Sequence, residues 1–212
     1  MGRIIWILTT LGLEKRMPRQ GLTTESVVGA AANLLETTRW EQLTLHKLAR
    51  VLQVQTASLY THITGLEHLR SLLTAYALRQ LRKAMLDAAA GEPPEKALPA
   101  VSEAYCTFAR ENRELYRMIM AIPHGGSSEL IEAGRAVKAV LFDLLAYYTQ
   151  DKSLQVRFSR QLHSLLHGFV SLDQLGFFDP AVPAGETLQN TVEDFVRQLQ
   201  LLSADKTVGA QL

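Results

Sequence analysis

The sequence predicts an all-α protein of about nine helices. Apolar residues recur at intervals of three and four along most of the 212-residue chain, which is the spacing of one helical face. No segment shows the alternation of apolar and polar residues that is typical of a strand. The pattern is interrupted at "GEPPEK", "PHGGSS" and "FFDPAVPAG", where Gly and Pro favour turns and loops. We therefore expect three short helices followed by a larger helical bundle.

The composition is that of a globular protein with an uneven charge distribution. Apolar residues make up 47% of the chain and charged residues 20%, which is ordinary for a soluble domain. Residues 1–80 hold nine Lys and Arg against five Asp and Glu, whereas residues 81–212 hold thirteen against sixteen. The N-terminal part is therefore the better partner for a polyanion. The single cysteine, Cys106, is expected to be a buried small residue, and its isolation favours a cytoplasmic location.

Residues 1–16 are expected to be an extension outside the folded domains. The apolar run from Ile4 to Leu13 is too short to span a bilayer and is followed by charged residues without a cleavage site. Met17 stands directly before the first helical pattern. The extension is interpreted as disordered or as a mis-assigned start, and the alternative is a small apolar arm that packs on the body. No contact with a membrane is expected.

The helices follow from caps and apolar spacing. The first begins at Thr23 or Thr24, whose hydroxyls suit an N-cap, and the second follows Thr44. A turn at residues 53–54 leads to a third short segment that ends near Ile63. A long helix then begins at Leu66 and runs to about residue 90. Further helices are expected at about 96–112, 113–121, 128–149, 153–176 and 186–202, and residues 205–212 as a flexible tail.

Two short helices joined by a tight turn predict a helix-turn-helix in residues 43–63. Its inner faces would be apolar, formed by Leu45, Leu48, Ala49, Leu52, Val54, Leu59 and Ile63. The outward residues of the second helix would be small or polar, as a helix entering the major groove of DNA requires. The alternative is a polar loop between bundle helices. The predicted DNA contacts are Thr44, His46, Lys47, Gln55, Thr56, Ala57, Ser58, Tyr60, Thr61 and His62.

The same stretch carries a family resemblance. "LTLHKLARVLQVQTASLYTHITGLEHLRSLL", with "PRQGLTTESVVGAAANLLETTRWEQ" before it, resembles the DNA-binding domain of tetracycline-repressor (TetR) family regulators. "HSLLHGFVSLDQLGFF" and "VPAGETLQNTVEDFVRQL" are similar to a TetR C-terminal domain type marked by a His-Gly pair. The resemblance implies a helix-turn-helix domain at 17–65 and a ligand-binding and dimerisation domain at 66–204.

Three positions depart from the family pattern. Gln53 and Arg39 stand where glycine is frequent, and Leu66 stands where a basic residue is frequent. The change at Leu66 removes a charged phosphate contact, so backbone N–H groups at that helix start become the expected anion site. Affinity for DNA would then depend more on Arg19, Lys47 and Arg50.

His163 and His167 lie four residues apart on one helical face. This spacing can hold a metal, but no third ligand is evident. The pair is interpreted either as polar groups satisfied within a bundle or as ligand contacts. The resemblance places the His-Gly pair at a pocket edge, where Gly168 would let a neighbouring helix approach closely. We predict no metal, cofactor or catalytic residue.

A band of aromatic and methionine residues runs through the middle of the chain. Such a band is typical of a core, but it also suits an adaptable apolar pocket. The resemblance implies a ligand cavity among the central helices. The predicted ligand contacts are Tyr105, Phe108, Tyr116, Met120, His163 and His167.

The last two helices are apolar on more than one face, which indicates a partner. In the TetR family these helices pair with those of a second copy, and the resemblance implies a homodimer here. The predicted interface residues are Leu165, Phe169, Leu172, Leu188, Val192, Phe195 and Leu199.

These observations predict a transcriptional regulator, most simply a repressor. A homodimer would bind a near-palindromic double-stranded DNA operator and respond to a small apolar or amphipathic effector. One alternative is a helical-bundle enzyme or metal-binding protein using His163, His167 and His124. Another is a helical interaction module without a role at DNA.

Overall fold

The chain is helical throughout the part that the structure describes. The computed structural model describes residues 21–121 and 127–209, with residues 202–209 given by their backbone only. This part holds nine α-helices and one 3-10 helix, with no strand, so the predicted fold class is confirmed. The expected extension at 1–16, Arg19 and His124 lie outside the described residues. None of the described helices is both long and apolar enough to cross a bilayer.

Three short α-helices and a 3-10 helix form the N-terminal head. They are α1 (Thr24–Leu35), the 3-10 helix (Trp40–Gln42), α2 (Leu45–Val51) and α3 (Thr56–Leu59). Thr23 and Ser26 form a capping box at the start of α1, each side chain accepting a hydrogen bond from the backbone N–H of the other. Thr44 caps α2 by accepting from the backbone N–H of Lys47 at 3.2 Å. Hydroxyl caps therefore set both helix starts, as predicted.

The helical path continues for about one turn beyond α3. The backbone N–H groups of His62 and Ile63 both donate to the carbonyl of Leu59, at 2.9 and 3.0 Å. Leu59 and Ile63 are thereby directed inward, and both are almost completely buried. The buried apolar residues of the head belong to one cluster that continues into the body, and they are Val27, Val28, Ala31, Leu35, Leu43, Leu48, Ala49, Leu59 and Ile63.

Gln53 closes the turn between α2 and α3 in a left-handed conformation. Its φ is 57°, the only positive φ of a residue other than glycine in the described chain. The backbone N–H of Val54 then donates to the carbonyl of Ala49 at 3.0 Å. The turn therefore keeps the geometry that glycine would favour, although its residue carries a Cβ.

Six helices form the body. They are α4 (Leu66–Ala89), α5 (Pro94–Glu111), α6 (Arg113–Met120), α7 (Ser128–Tyr148), α8 (Lys152–Gln174) and α9 (Ala184–Gly209). The long α4 packs against α1 of the head and against α5, α6 and α7 of the body. Pro93 and Pro94 begin α5, where their fixed φ suits the first helical turn. The last helix continues to Gly209 because "SADKTV" holds no helix breaker, so it ends beyond the predicted residue 202.

Candidate DNA-reading head and ligand cavity

The outward surface of α3 is small and polar. Ala57 and Ser58 are exposed, and Tyr60 is 57% exposed, whereas Leu59 between them is completely buried. The Thr61 hydroxyl donates to the carbonyl of Ser58 at 2.7 Å, which stiffens the end of the turn. A helix with this surface can bring its backbone close to another molecule and offer hydrogen bonds to it.

The other predicted DNA contacts surround this surface and differ in exposure and in hydrogen bonding. Gln55 begins α3 and is exposed, and His46 on α2 is exposed as well. Thr56 and His62 are half-buried. The Lys47 ammonium donates to the carbonyl of Gln42 at 2.8 Å, so it would have to release this bond to contact a phosphate.

The body holds a cavity of about 820 Å³ between α4, α5, α6, α7 and α8. Among the predicted ligand contacts, Tyr105, Met120 and His163 line it. Phe108 does not; it lines a separate cleft of about 560 Å³ between the head and the body. Most of the wall is apolar, from Leu78, Leu81, Met85, Ile119, Met120, Leu130, Ile131, Val137, Leu141, Phe142 and Val156.

A chain of hydrogen bonds leads away from the cavity. The Tyr105 hydroxyl lies 3.0 Å from the Tyr116 hydroxyl, which lies 2.8 Å from Nδ1 of His167. Burial raises the pKa of Tyr116 to about 12 and raises that of Tyr105 as well, so both phenols are protonated at neutral pH. Tyr116 and His167 do not line the cavity. They are corrected from direct ligand contacts to residues that hold Tyr105 in position.

His163 stands at the cavity wall beside Tyr105, with ring centroids 6.0 Å apart in an edge-to-face arrangement. Burial by the surrounding wall lowers the pKa of His163, and His167 and Lys138 lower it further. Within residues 21–121 and 127–209, no group of three His, Cys, Asp or Glu side chains is arranged to hold a metal ion. His163 contacts Tyr105, and His167 contacts Tyr116.

A polar contact that the sequence analysis missed joins α6 to the head. The backbone N–H of Trp40 donates to Oε2 of Glu114 at 3.0 Å, and Arg39 lies 4.0 Å from the same carboxylate. Arg117 donates to Glu41 at 2.8 Å and to Glu114 at 2.9 Å. Periodicity could not reveal these contacts, because the partners are more than 70 residues apart in sequence.

The predicted dimer residues separate into two groups. Leu188, Val192, Phe195 and Leu199 are buried in the chain's own core, so the prediction is corrected for these four. These four residues lie on the side of α9 that packs against α5, α7 and α8. Leu165 and Phe169 are half-buried and Leu172 is 42% exposed, and these three remain on the outer side of α8.

The prediction for Cys106 agrees with the structure, whereas the one for Gly168 finds no neighbouring helix in the described protomer. Cys106 is buried as expected, and burial raises its pKa to about 12. It does not line the cavity. Gly168 was expected to admit a neighbouring helix, but a Cβ there would meet no atom within 4 Å. No described segment of the protomer therefore uses the space at Gly168.

These features define a class of protein, in which a helix-turn-helix head is carried by a helical body with an internal cavity. A family model described as "Tetracyclin repressor-like, C-terminal domain" matches residues 98–195. The chain is 28% identical to the uncharacterized HTH-type transcriptional regulator YobS of Bacillus subtilis, over 86% of the chain and 95% of YobS.

Two solved structures show the same fold. A Rhodococcus sp. RHA1 protein of unknown function has a TM-score of 0.77 at 23% identity, covering 87% of this chain and 99% of that one. TetR from Acinetobacter baumannii AYE in complex with minocycline has a TM-score of 0.64 at 19% identity, covering 86% and 98%. The chain is therefore similar to TetR-type regulators: its C-terminal part matches the tetracycline-repressor-like domain model, its curated relative is an HTH-type transcriptional regulator, and the TetR structure has the same fold.

Proposed function

We propose that the protein is a ligand-responsive repressor that binds a near-palindromic DNA operator as a homodimer. The observation that carries this proposal is the exposed surface of α3, where Ala57, Ser58 and Tyr60 face outward above the buried Leu59. Two such helices, one from each copy, would enter successive major grooves about one helical turn apart. The predicted division into a head at 17–65 and a body at 66–204 belongs to the same proposal.

The start of α4 supports a phosphate contact beside the reading helix. Its N-cap, Gly65, provides no side-chain hydrogen bond to the first turn. The backbone N–H groups there carry partial positive charge and can bind a phosphate oxygen. This contact would replace the basic residue that is absent at Leu66, which is itself partly exposed.

DNA binding can be tested with a labelled duplex from the region upstream of the protein's own gene. We expect a saturable complex whose affinity falls steeply with salt, because Lys and Arg release counterions from the phosphates. Random duplex of the same length is the control for specificity. Equal affinity for both duplexes across a salt series would contradict the proposed operator binding.

The outer side of α8 supports the proposed homodimer. Leu165, Phe169 and Leu172 lie there next to the open space at Gly168, and Leu175 and Phe177 follow with more than 70% exposure. An exposed apolar surface of this kind is typical of an interface. The absence of a Cβ at Gly168 would let a helix of the second copy approach closely.

Leu172→Glu is the direct test of this interface, because it would place a charge in an apolar contact. We expect monomers in sedimentation and weaker operator binding, with an unchanged melting temperature of the protomer. Leu201→Glu, at another exposed apolar position, is the control. Wild-type protein that is monomeric at micromolar concentration would contradict the homodimer.

The cavity supports the ligand-responsive part of the proposal, as does the minocycline complex of the TetR relative. Helix α6 touches both sites: Ile119 and Met120 line the cavity, while Glu114 and Arg117 contact the head. A ligand that moves α6 would therefore change the position of the head. Such coupling is typically worth about 1–3 kcal/mol and acts equally in both directions.

A substitution at Gly134 can fill the cavity. It lines the cavity, and a Cβ there would meet nothing within 4 Å. Gly134→Phe should abolish the thermal shift that apolar ligands give to the wild type, while operator binding is retained. Gly134→Ala is the control, and it should raise the free energy of unfolding by about 1 kcal/mol because alanine favours a helix. An unchanged ligand response in Gly134→Phe would contradict the assignment of the cavity.

A further inference from the structure

The wall of the ligand cavity carries charge of one sign only. Arg135, Lys138 and Arg160 line it, and none of its lining residues is an aspartate or a glutamate. None of the three cations lies within ion-pairing distance of a carboxylate among the described residues. All three side chains are exposed, so they are solvated in the free protein and remain accessible to an anion at the cavity.

The cations come from two neighbouring helices, α7 and α8. Arg135 and Lys138 are one turn apart on α7, and Arg160 lies one turn before His163 on α8. Since residues three apart on a helix share a face, each helix presents its polar lining together. The lining residues that come from α4 and α6 are all apolar: Leu78, Leu81, Met85, Ile119 and Met120.

The cleft between the head and the body provides a contrast within the same molecule. It is also lined by charged residues, but both signs are present. Lys83 pairs with Asp87 there, and Arg39 lies 4.0 Å from Glu114. A lining with charge of one sign therefore distinguishes the ligand cavity from this cleft.

We propose that the cavity binds an amphipathic carboxylate, with its carboxylate on Arg135, Lys138 and Arg160 and its apolar part against α4 and α6. The proposal rests on the proposed function only in treating this cavity as the effector site. Arginine offers a planar pair of donors that matches a carboxylate, and lysine adds a mobile donor. His163 also lines this cavity, and its ring nitrogens can take part as hydrogen-bonding groups.

The experiment is calorimetric titration of the full chain at pH 7 with probes that share a chain and differ in the head group. We expect decanoate to bind more tightly than 1-decanol, and decylammonium to bind least. An uncharged apolar cavity would prefer 1-decanol, because it is the more hydrophobic probe. The pair 2-naphthoate and 2-naphthol, run in parallel, identifies whether an alkyl or an aromatic body fits better.

Substitutions test whether Lys138 and Arg160 cause the preference for decanoate over 1-decanol. Arg160→Gln and Lys138→Gln should each weaken decanoate binding by about tenfold or more, as expected for loss of a charge-assisted hydrogen bond, and leave 1-decanol binding unchanged. Arg82→Gln removes the same charge from an exposed position on α4 outside the cavity, and it should change neither.

Two results would overturn the inference: equal or tighter binding of 1-decanol by the wild type, or an equal loss in Arg82→Gln. Operator affinity is measured separately. Decanoate that binds with the expected preference but leaves operator affinity unchanged would support the carboxylate site and contradict its role as an effector site. Operator binding without any preference for decanoate would overturn the carboxylate site alone.

Discussion

The head and the body of this protein organise their apolar residues in opposite ways. In the head, the inward side chains are buried, and α3 presents Ala57 and Ser58 at the surface. In the body, longer helices surround a cavity of about 820 Å³ that their side chains do not fill. A filled core holds a surface in a fixed shape, whereas an unfilled one can bind a ligand and respond to it.

This difference also shows where specificity resides in each part. The DNA contacts proposed for the head lie on α2, α3 and the turns beside them, so they come from one short stretch of sequence. The cavity collects Tyr105, Ile119, Arg135 and His163 from four helices, so its chemistry depends on how those helices pack. Helix α6 lines the cavity and also contacts the head, so it connects the two regions.

The largest effect is expected from a charge on the reading surface. Ala57→Glu should weaken operator binding by more than about a hundredfold, because an acidic side chain would face DNA phosphates without a partner. The free energy of unfolding should stay within about 0.5 kcal/mol of the wild type, since Ala57 is exposed. Ala139→Glu, on the exposed face of α7, is the control in a binding titration. An equal loss of operator affinity in both variants would contradict a contact between α3 and DNA.

The next largest effect separates core from interface in the last two helices. Phe195 is 8% exposed and packs edge-to-face on Phe158 with centroids 5.9 Å apart. Phe195→Ala should lower the free energy of unfolding by about 3–5 kcal/mol, measured by denaturant titration. Leu172→Ala, at an exposed position, should cost less than about 1.5 kcal/mol in the protomer. A loss of less than about 1.5 kcal/mol in Phe195→Ala would contradict its place in the core and favour the dimer interface.

An intermediate effect is expected where the head and body touch. The Glu114 carboxylate is 16% exposed and accepts from the Trp40 N–H, so Glu114→Ala leaves that donor without its partner. We expect a loss of about 1–3 kcal/mol in the free energy of unfolding and faster hydrogen exchange at the Trp40 amide. Glu111→Ala, at the exposed end of α5, is the control. Unchanged exchange at Trp40 would show that this contact does not hold the head.

A smaller effect tests whether Tyr60, one of the predicted DNA contacts, binds a phosphate. Its side chain is 57% exposed, and its hydroxyl has no hydrogen bond to the described residues. Tyr60→Phe should weaken binding to all duplexes by about 0.5–1.5 kcal/mol. Tyr147→Phe, at a tyrosine of the body that is 60% exposed, should have no effect. Binding equal to that of the wild type at several salt concentrations would contradict the placement.

The smallest effect concerns the turn that aims α3. Gln53 has a left-handed φ of 57°, so Gln53→Gly should relieve backbone strain and raise the free energy of unfolding by up to about 1 kcal/mol. Gln198→Gly, at an exposed position within α9, should instead lower it by about 1 kcal/mol. Thermal unfolding of both variants gives the comparison. Destabilisation by Gln53→Gly would mean that the glutamine side chain stabilises the turn.

The head was predictable from sequence because its information is local. The caps at Thr23 and Thr44 and the inward pair Leu59 and Ile63 follow from spacing alone, and the structure has them so. Tyr105, Met120 and His163 were also identified as possible cavity residues. The remaining lining depends on helix rotation, which apolar spacing determines only loosely.

The errors have the same physical origin. Helix α9 is apolar on one stripe, and the sequence does not say whether that stripe faces the chain's own core or a second copy. Phe195 and Leu199 were therefore assigned to the interface although they are buried within the protomer. Likewise, the contact of Glu114 with Trp40 joins residues 74 apart in sequence, and no local pattern marks such a pair.

The central claim, that α3 reads DNA as one of a symmetric pair, is tested most directly by selecting bound duplexes from random DNA with the full chain. We predict enrichment of a near-palindrome whose half-sites are separated by about one helical turn, and loss of this enrichment in Ala57→Glu. Selection of no sequence, or of the same sequence by the wild type and by Ala57→Glu, would contradict the claim.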